Sequence, residues 1–182
     1  MKTADAKAGK PATIYHFKGS LGHPVMTQDD TEDLFFVKLN RRNIVVTKVS
    51  ESSDGSPVAS QTISAPHNFK FFGWPPASPQ KGTDKKTASG DRNPKNLVIQ
   101  GGFLWFSQTV NCNGRAAVQW HQVDLKDGKF VQSGLISDET NSFIQTTIAV
   151  NKKLDVLVGF QETGPDMFIS CLLYTSPSPR DS

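Results

Sequence analysis

Helical spacing is the first thing this chain lacks. No segment sustains apolar residues at intervals of three and four, so no helix is expected. Cysteine is scarce: there are two, Cys112 and Cys171. The second falls in a terminal stretch of foreign character, discussed below. Cys112 then stands alone in a turn, and neither a disulfide nor a CxxC metal site can be argued. No run reaches the apolar length of a membrane span. Met1-Lys2 leads into Thr-Ala-Asp-Ala rather than an apolar core, so the sequence as written carries no signal peptide. Charge of one sign is also missing. A net charge of +3 points to neither a nucleic acid nor an acidic membrane as partner. There is no Gly-rich phosphate loop, no GxSxG, and no Ser-x-Asp-x-Gly-x-Thr-Trp box of the sialidase kind.

What is present favours strands. Phe, Val, Ile, Thr and Ser are well represented, and the length suffices for one domain with a real core. The best-specified stretch runs from Phe103 to Ile136 and reads as three antiparallel strands in series, with apolar residues on both faces at the start. From Ala117 to Leu125 the alternation is cleaner. Ala117, Gln119, His121 and Val123 fall on one side, and Val118, Trp120, Gln122 and Asp124 on the other. Asn113-Gly114 and Asp127-Gly128 are pairs that allow the positive φ angles of two-residue hairpin turns.

In order along the chain, residues 1–20 read as a flexible Lys/Ala/Gly-rich segment, with one short strand at 14–18. Residues 21–64 form a first, incomplete unit: a loop with a short strand near Val25, then strands at 33–39, 43–50 and 58–63 around an Arg41-Arg42 turn and a polar SESSDGS turn. Residues 65–94 hold five of the prolines and read as an excursion between sheet units. In it Phe69, Phe71, Phe72 and Trp74 are expected to cap a core edge, and Lys81–Arg92 to be mobile. Residues 95–137 make a complete unit: strand, Gly-Gly turn, strand, Asn-Gly turn, strand, Asp-Gly turn, strand. Residues 142–170 supply a hairpin turning at 151–153 and the start of one more strand.

A weak repeat runs through these units. DLFFVKLN, GFLWFSQT and LDVLVGFQ occupy corresponding places, and VASQTIS and VQSGLIS correspond as closing strands. Four antiparallel strands in meander order, recurring along the chain, are the grammar of a propeller blade. The expected fold is therefore all-β: a partial β-propeller of about three blade-equivalents, each an antiparallel four-stranded meander. One blade cannot bury both its faces, so Trp105, Phe106, Trp120 and Phe160 are expected in the core between blades.

These residues carry a resemblance. Gly114-Arg115, Trp120, Asp124, Gly128, Gln132-Ser133-Gly134, Ile148-Ala149-Val150-Asn151, Asp155 and Gly159-Phe160 match a pattern that recurs in uncharacterised bacterial β-propeller-like repeat proteins. The chain resembles them over roughly residues 34–170. His121 departs from the aromatic usual there, and Gln145-Thr146-Thr147 from a Pro-Ser. The resemblance implies a propeller fold and an extracellular or cell-surface setting, and it assigns no catalytic residue. Residues 171–181, CLLYTSPSPRD, resemble the translation of a transposase-type sequencing adapter. Residues 171–182 are accordingly expected to be an artefact tail that makes few tertiary contacts beyond about two residues of strand extension. Coding sequence would then end near Ser170, leaving a fragment of a longer protein.

Candidate chemistry is thin. His121 reads as a satisfied or solvated strand histidine rather than a base. His16, His23 and His67 lie apart, without ligand-like spacing. Asp29, Asp30, Glu32 and Asp33 cluster, but not with the spacing of a calcium loop, and read as a solvated turn. Lys81, Lys85, Lys86, Arg92 and Lys95 read as a charged loop, without the interleaved aromatics of a nucleic-acid surface. No catalytic, cofactor-binding or metal residue is assigned, and no cofactor is expected. Two classes remain: a non-enzymatic propeller that binds protein or glycan at the mouth of its channel, or part of a glycosidase- or lyase-like propeller with its catalytic residues elsewhere. The innermost strands, NPKNLVI and SFIQTTIAV, offer Asn, Gln and Thr but no carboxylate, which favours binding.

Overall fold

The computed structural model describes residues 7–9, 14–40, 43–66 and 72–176. The fold is all-β, a partial propeller of about three blade-equivalents. The first meander comprises β1 (His23–Thr27), β2 (Leu34–Leu39), β3 (Asn43–Glu51) and β4 (Pro57–Pro66). After a small hairpin, β5 (Ser78–Gln80) and β6 (Thr83–Thr87), comes the second meander. It contains β7 (Lys95–Gln100), β8 (Phe103–Cys112), β9 (Arg115–Asp124) and β10 (Phe130–Ile136). The third sheet has three strands: β11 (Ser142–Val150), β12 (Val156–Gly164) and β13 (Met167–Ser176).

Inner strands join the first two meanders. β1 and β7 pair in parallel, with Met26 opposite Val98 and Thr27 opposite Ile99, so eight strands form one curled sheet. All other strand pairs are antiparallel. The curl brings the two meanders face to face around Val37, Ile44, Val46 and Ile63 on one side and Leu104, Phe106 and Val123 on the other. The opposite face of the second meander, with Trp105, Val118 and Trp120, packs on Phe143, Ile148, Val158 and Phe160 of the third sheet. Each fully buried aromatic or aliphatic side chain there contributes roughly 1.5–3 kcal/mol.

Turn chemistry explains the registers. Gly101-Gly102 and Asn113-Gly114 are two-residue loops with φ of 64° and 77°, and of 51° and 83°, as the twist of tight hairpins requires. Asp127-Gly128 is different: residues 125–129 connect β9 to β10, closed by the Gly128 N–H on the Asp124 carbonyl at 2.8 Å. Gly128 is still obligatory. A methyl there would meet Ile63 Cγ2 at 2.5 Å and Ala65 Cβ at 2.7 Å, because this turn rests on β4.

Several expectations are corrected. Residues 14–18 form no strand. The stretch 81–92, read as mobile, contains β6 and the turn of a hairpin that docks on the third sheet through Lys81 N–H to the Met167 carbonyl (3.0 Å) and Thr163 Oγ1 to the Pro79 carbonyl (2.5 Å). Trp74 caps no core: it is 57% exposed. Phe72 is half-buried, while His67, Phe69, Phe71 and the Arg41-Arg42 turn lie outside the described residues. In the tail, pairing with β12 runs on to Ser176 opposite Val156, well past the two residues expected. Backbone pairing needs no particular side chain, and Leu172, Leu173 and Tyr174 remain partly or largely exposed. Residues 177–182 lie outside the described residues.

Candidate functional site

The singled-out residues do not converge. His121 is completely buried, with Nδ1 2.7 Å from Ser133 Oγ and its ring between Phe106 and Phe130, at centroid distances of 4.8 and 5.5 Å. It sits in the packed face toward the first meander, with none of its surface in contact with solvent. His16 is exposed in the segment before β1, and His23 opens β1. The acidic cluster is taken apart by its partners. Asp29 reaches across to the β7–β8 turn and accepts from the Gly101 N–H (2.6 Å), the Gly102 N–H (2.9 Å) and Gln100 Nε2 (3.1 Å). Asp33 pairs with Lys48 at 3.1 Å, and hydrogen bonds from Ser50 and Lys48 hold its carboxyl below the ordinary value. Among the described residues no group of three or more His, Cys, Asp or Glu could hold a metal ion.

The basic residues are dispersed as well. Lys81 lies over the Phe168 ring at 5.7 Å, and Lys95 pairs with Asp91 at 3.3 Å. The Arg92 guanidinium covers the Trp74 ring at 5.0 Å. A shallow depression of about 540 Å³ lies beside the β5–β6 hairpin, with Thr83, Asp84 and Lys86 on its wall.

One arrangement does bring polar side chains together, on the inner strands. β7 and β11 each carry a bulge near the start of the strand. The register skips between Lys95 and Val98 on β7, and between Ile144 and Thr147 on β11. In each bulge an exposed amide residue takes a left-handed backbone: Asn96 at φ 46° and Gln145 at φ 52°. Bulges re-aim side chains and are enriched beside sites. Here Asn96 Nδ2 donates to Thr147 Oγ1 of the neighbouring inner strand, and Gln145 Nε2 donates to the Ala88 carbonyl at 3.3 Å. Sequence reading named both strands as innermost, but a positive φ at a non-glycine residue leaves no pattern to find.

The segment from Ala88 to Asn96 therefore forms a rim, tied at both ends to β11 and in its middle, through Arg92, to Trp74. Its foundation is buried. Ser89 Oγ lies 2.7 Å from Ser78 Oγ and donates to the Pro76 carbonyl at 2.6 Å. At Asp91, burial pushes the carboxyl up, but the Asn93 N–H at 2.9 Å and the Lys95 ammonium outweigh it, and the pKa is lowered. Gly73 pairs with Asn111 at the end of β8, its carbonyl accepting from the Asn111 N–H at 3.0 Å, and so sets the position of Trp74. The rim offers amides, hydroxyls, an aromatic ring and a neutralised ion pair. That set can hold and orient a ligand, and it contains no acid–base pair. No family model matches the chain, and no curated protein or solved structure matches it either.

Proposed function

We propose that this chain is a non-enzymatic binding or scaffold module built on a β-propeller, acting at the cell surface or outside the cell. The observation that carries the reading is the inner-strand rim, where Asn96, Gln145 and Thr147 present neutral hydrogen-bonding groups at corresponding bulges. General acid–base work on a glycoside needs two carboxyl groups facing one bond. Asp91, the acid of this rim, is engaged by Lys95 and held ionised. The extracellular setting is supported by the resemblance to bacterial propeller-like repeat proteins.

The test has two arms on the full chain. One is a panel of chromogenic glycosides and polyuronides scanned for turnover. The other is a panel of immobilised oligosaccharides and peptides scanned for retention. Retention without turnover is the expected result. Turnover that co-purifies with the chain, or retention on nothing, overturns the reading.

A further inference from the structure

Resting on that reading, we infer that the rim between Trp74 and Asn96 binds a neutral oligosaccharide, with the Trp74 ring as its stacking platform. Trp74 is unlike the other two tryptophans of the chain. Trp105 and Trp120 are 1% and 6% exposed, whereas Trp74 is 57% exposed. A large aromatic surface left in water forfeits burial energy that a ligand can recover. The ring is also held in place. Gly73 is bonded to β8, and the Arg92 guanidinium stacks on the ring, so little conformational freedom remains to be lost on binding.

The ligand class follows from what surrounds the ring. A sugar presents a C–H face, which packs on an aromatic plane, and hydroxyls, which exchange hydrogen bonds with amides and hydroxyls. Asn96, Gln145 and Thr147 supply those partners on the same rim. The Asp91–Lys95 pair cancels its own charge and the Arg92 guanidinium is engaged on the ring, which favours a neutral ligand. A peptide adding as a strand to β7 finds β8 along one edge, and β1 already paired with Val98 and Ile99 on the other.

Size follows from register. Lys95 lies opposite Ser107 on β8, and Gly73 lies opposite Asn111. Four residues of strand separate those points, on the order of 13 Å. A ligand touching both ring and amides is therefore an extended chain of sugars rather than a single one.

The experiment is titration of the full chain with cellohexaose, xylohexaose, mannohexaose and laminarihexaose, read by isothermal titration calorimetry for every variant and, in the unmutated chain, also by acrylamide quenching of tryptophan emission. With the other two rings buried, quenching reports Trp74. A binding hexasaccharide is expected to protect the emission, and Trp74→Ala to weaken binding by about tenfold or more. Trp74→Phe, which keeps an aromatic face, retains most of it. Binding that leaves the quenching unchanged, or that survives Trp74→Ala undiminished, overturns the inference. Retention of peptides with no saccharide bound overturns it too, while leaving the binding-module reading in place.

Discussion

The second meander and the third sheet are written in the same local grammar and end in different physical situations. In β7–β9 both faces are covered: Leu104, Phe106 and Val123 pack on the first meander, and Trp105, Val118 and Trp120 on the third sheet, while the outer strand β10 leaves Val131 and Leu135 exposed. In β11–β13 one face is covered, by Val158 and Phe160. The other carries Leu157 and Leu173, at 37% and 73% exposure, and β13 pairs with β12 alone among the described strands. Alternation makes a strand, but neighbours decide whether its second face becomes core.

The sharpest way to break this comparison is to truncate one side chain on each sheet. Trp105→Ala should cost about 3–5 kcal/mol in denaturant unfolding, enough to empty the native state of a marginal domain. Leu173→Ala should stay within about 0.5 kcal/mol. Similar losses at the two positions would mean that the third sheet is covered in solution.

Association is the next effect in size. An uncovered apolar face beside an unpaired edge favours contact with a second copy. Light scattering coupled to size-exclusion chromatography should give a mass above the 19.9 kDa of one chain. Leu173→Asp should shift the mass toward the monomer. A wild-type monomer with a sharp cooperative melt would remove the distinction between the two sheets.

Glycines sharpen the contrast further. A methyl on Gly134 would meet Trp120 Nε1 at 2.3 Å, and that ring is fixed in the core, 6% exposed. Gly134→Ala should cost about 1–3 kcal/mol. On the third sheet a methyl on Gly159 would meet Thr147 Cγ2 at 2.9 Å and Leu173 Cδ2 at 3.6 Å, the ends of two exposed side chains that can turn aside, and Gly159→Ala should cost less. Equal thermal shifts for the two variants would contradict this.

The smallest effect is that of pH. Hydrogen bonds from the Asn141 and Thr140 N–H groups hold the Asp138 carboxyl below its ordinary 3.8, and hydrogen bonds from Lys129 do the same for Asp127. A lowered native pKa means the folded state binds fewer protons than the unfolded one. The stabilisation is therefore complete above the unfolded value and disappears as pH falls through the lower native one. Both groups sit at turns in water, so melting temperatures should decline gently below that range. Asp138→Asn should flatten the decline slightly, and an unchanged curve would exclude Asp138 from it.

Much of the fold was legible because it is local. Strands β2, β3 and β7–β12 announce themselves by alternation, and Gly101-Gly102 and Asn113-Gly114 by the φ angles they permit. Three features escaped. The β5–β6 hairpin is made of Ser-Pro-Gln and Thr-Asp-Lys-Lys-Thr, polar residues without alternation, held by backbone pairing and two buried serines. The parallel pairing of β1 with β7 joins residues far apart in sequence and needs no motif. The rim was least legible of all, since Asn96, Gln145 and Trp74 become neighbours of one segment only through bulges and a single bridge at Gly73.

The two crossings from an outer strand to an inner one show where the chain spends length beyond what geometry asks. From the outer strand β10 to the inner strand β11, residues 137–141 suffice. Traversing three strand spacings takes roughly 15 Å, which a handful of extended residues can cover. The crossing from β4 to β7, four strand spacings along the eight-stranded sheet, occupies everything between Pro66 and Lys95. Had the short crossing been used twice, the sheets could still have stacked, but Trp74, the β5–β6 hairpin and the rim would not exist. Shortening that crossing to the length of its counterpart would therefore separate what the fold requires from what the surface was given.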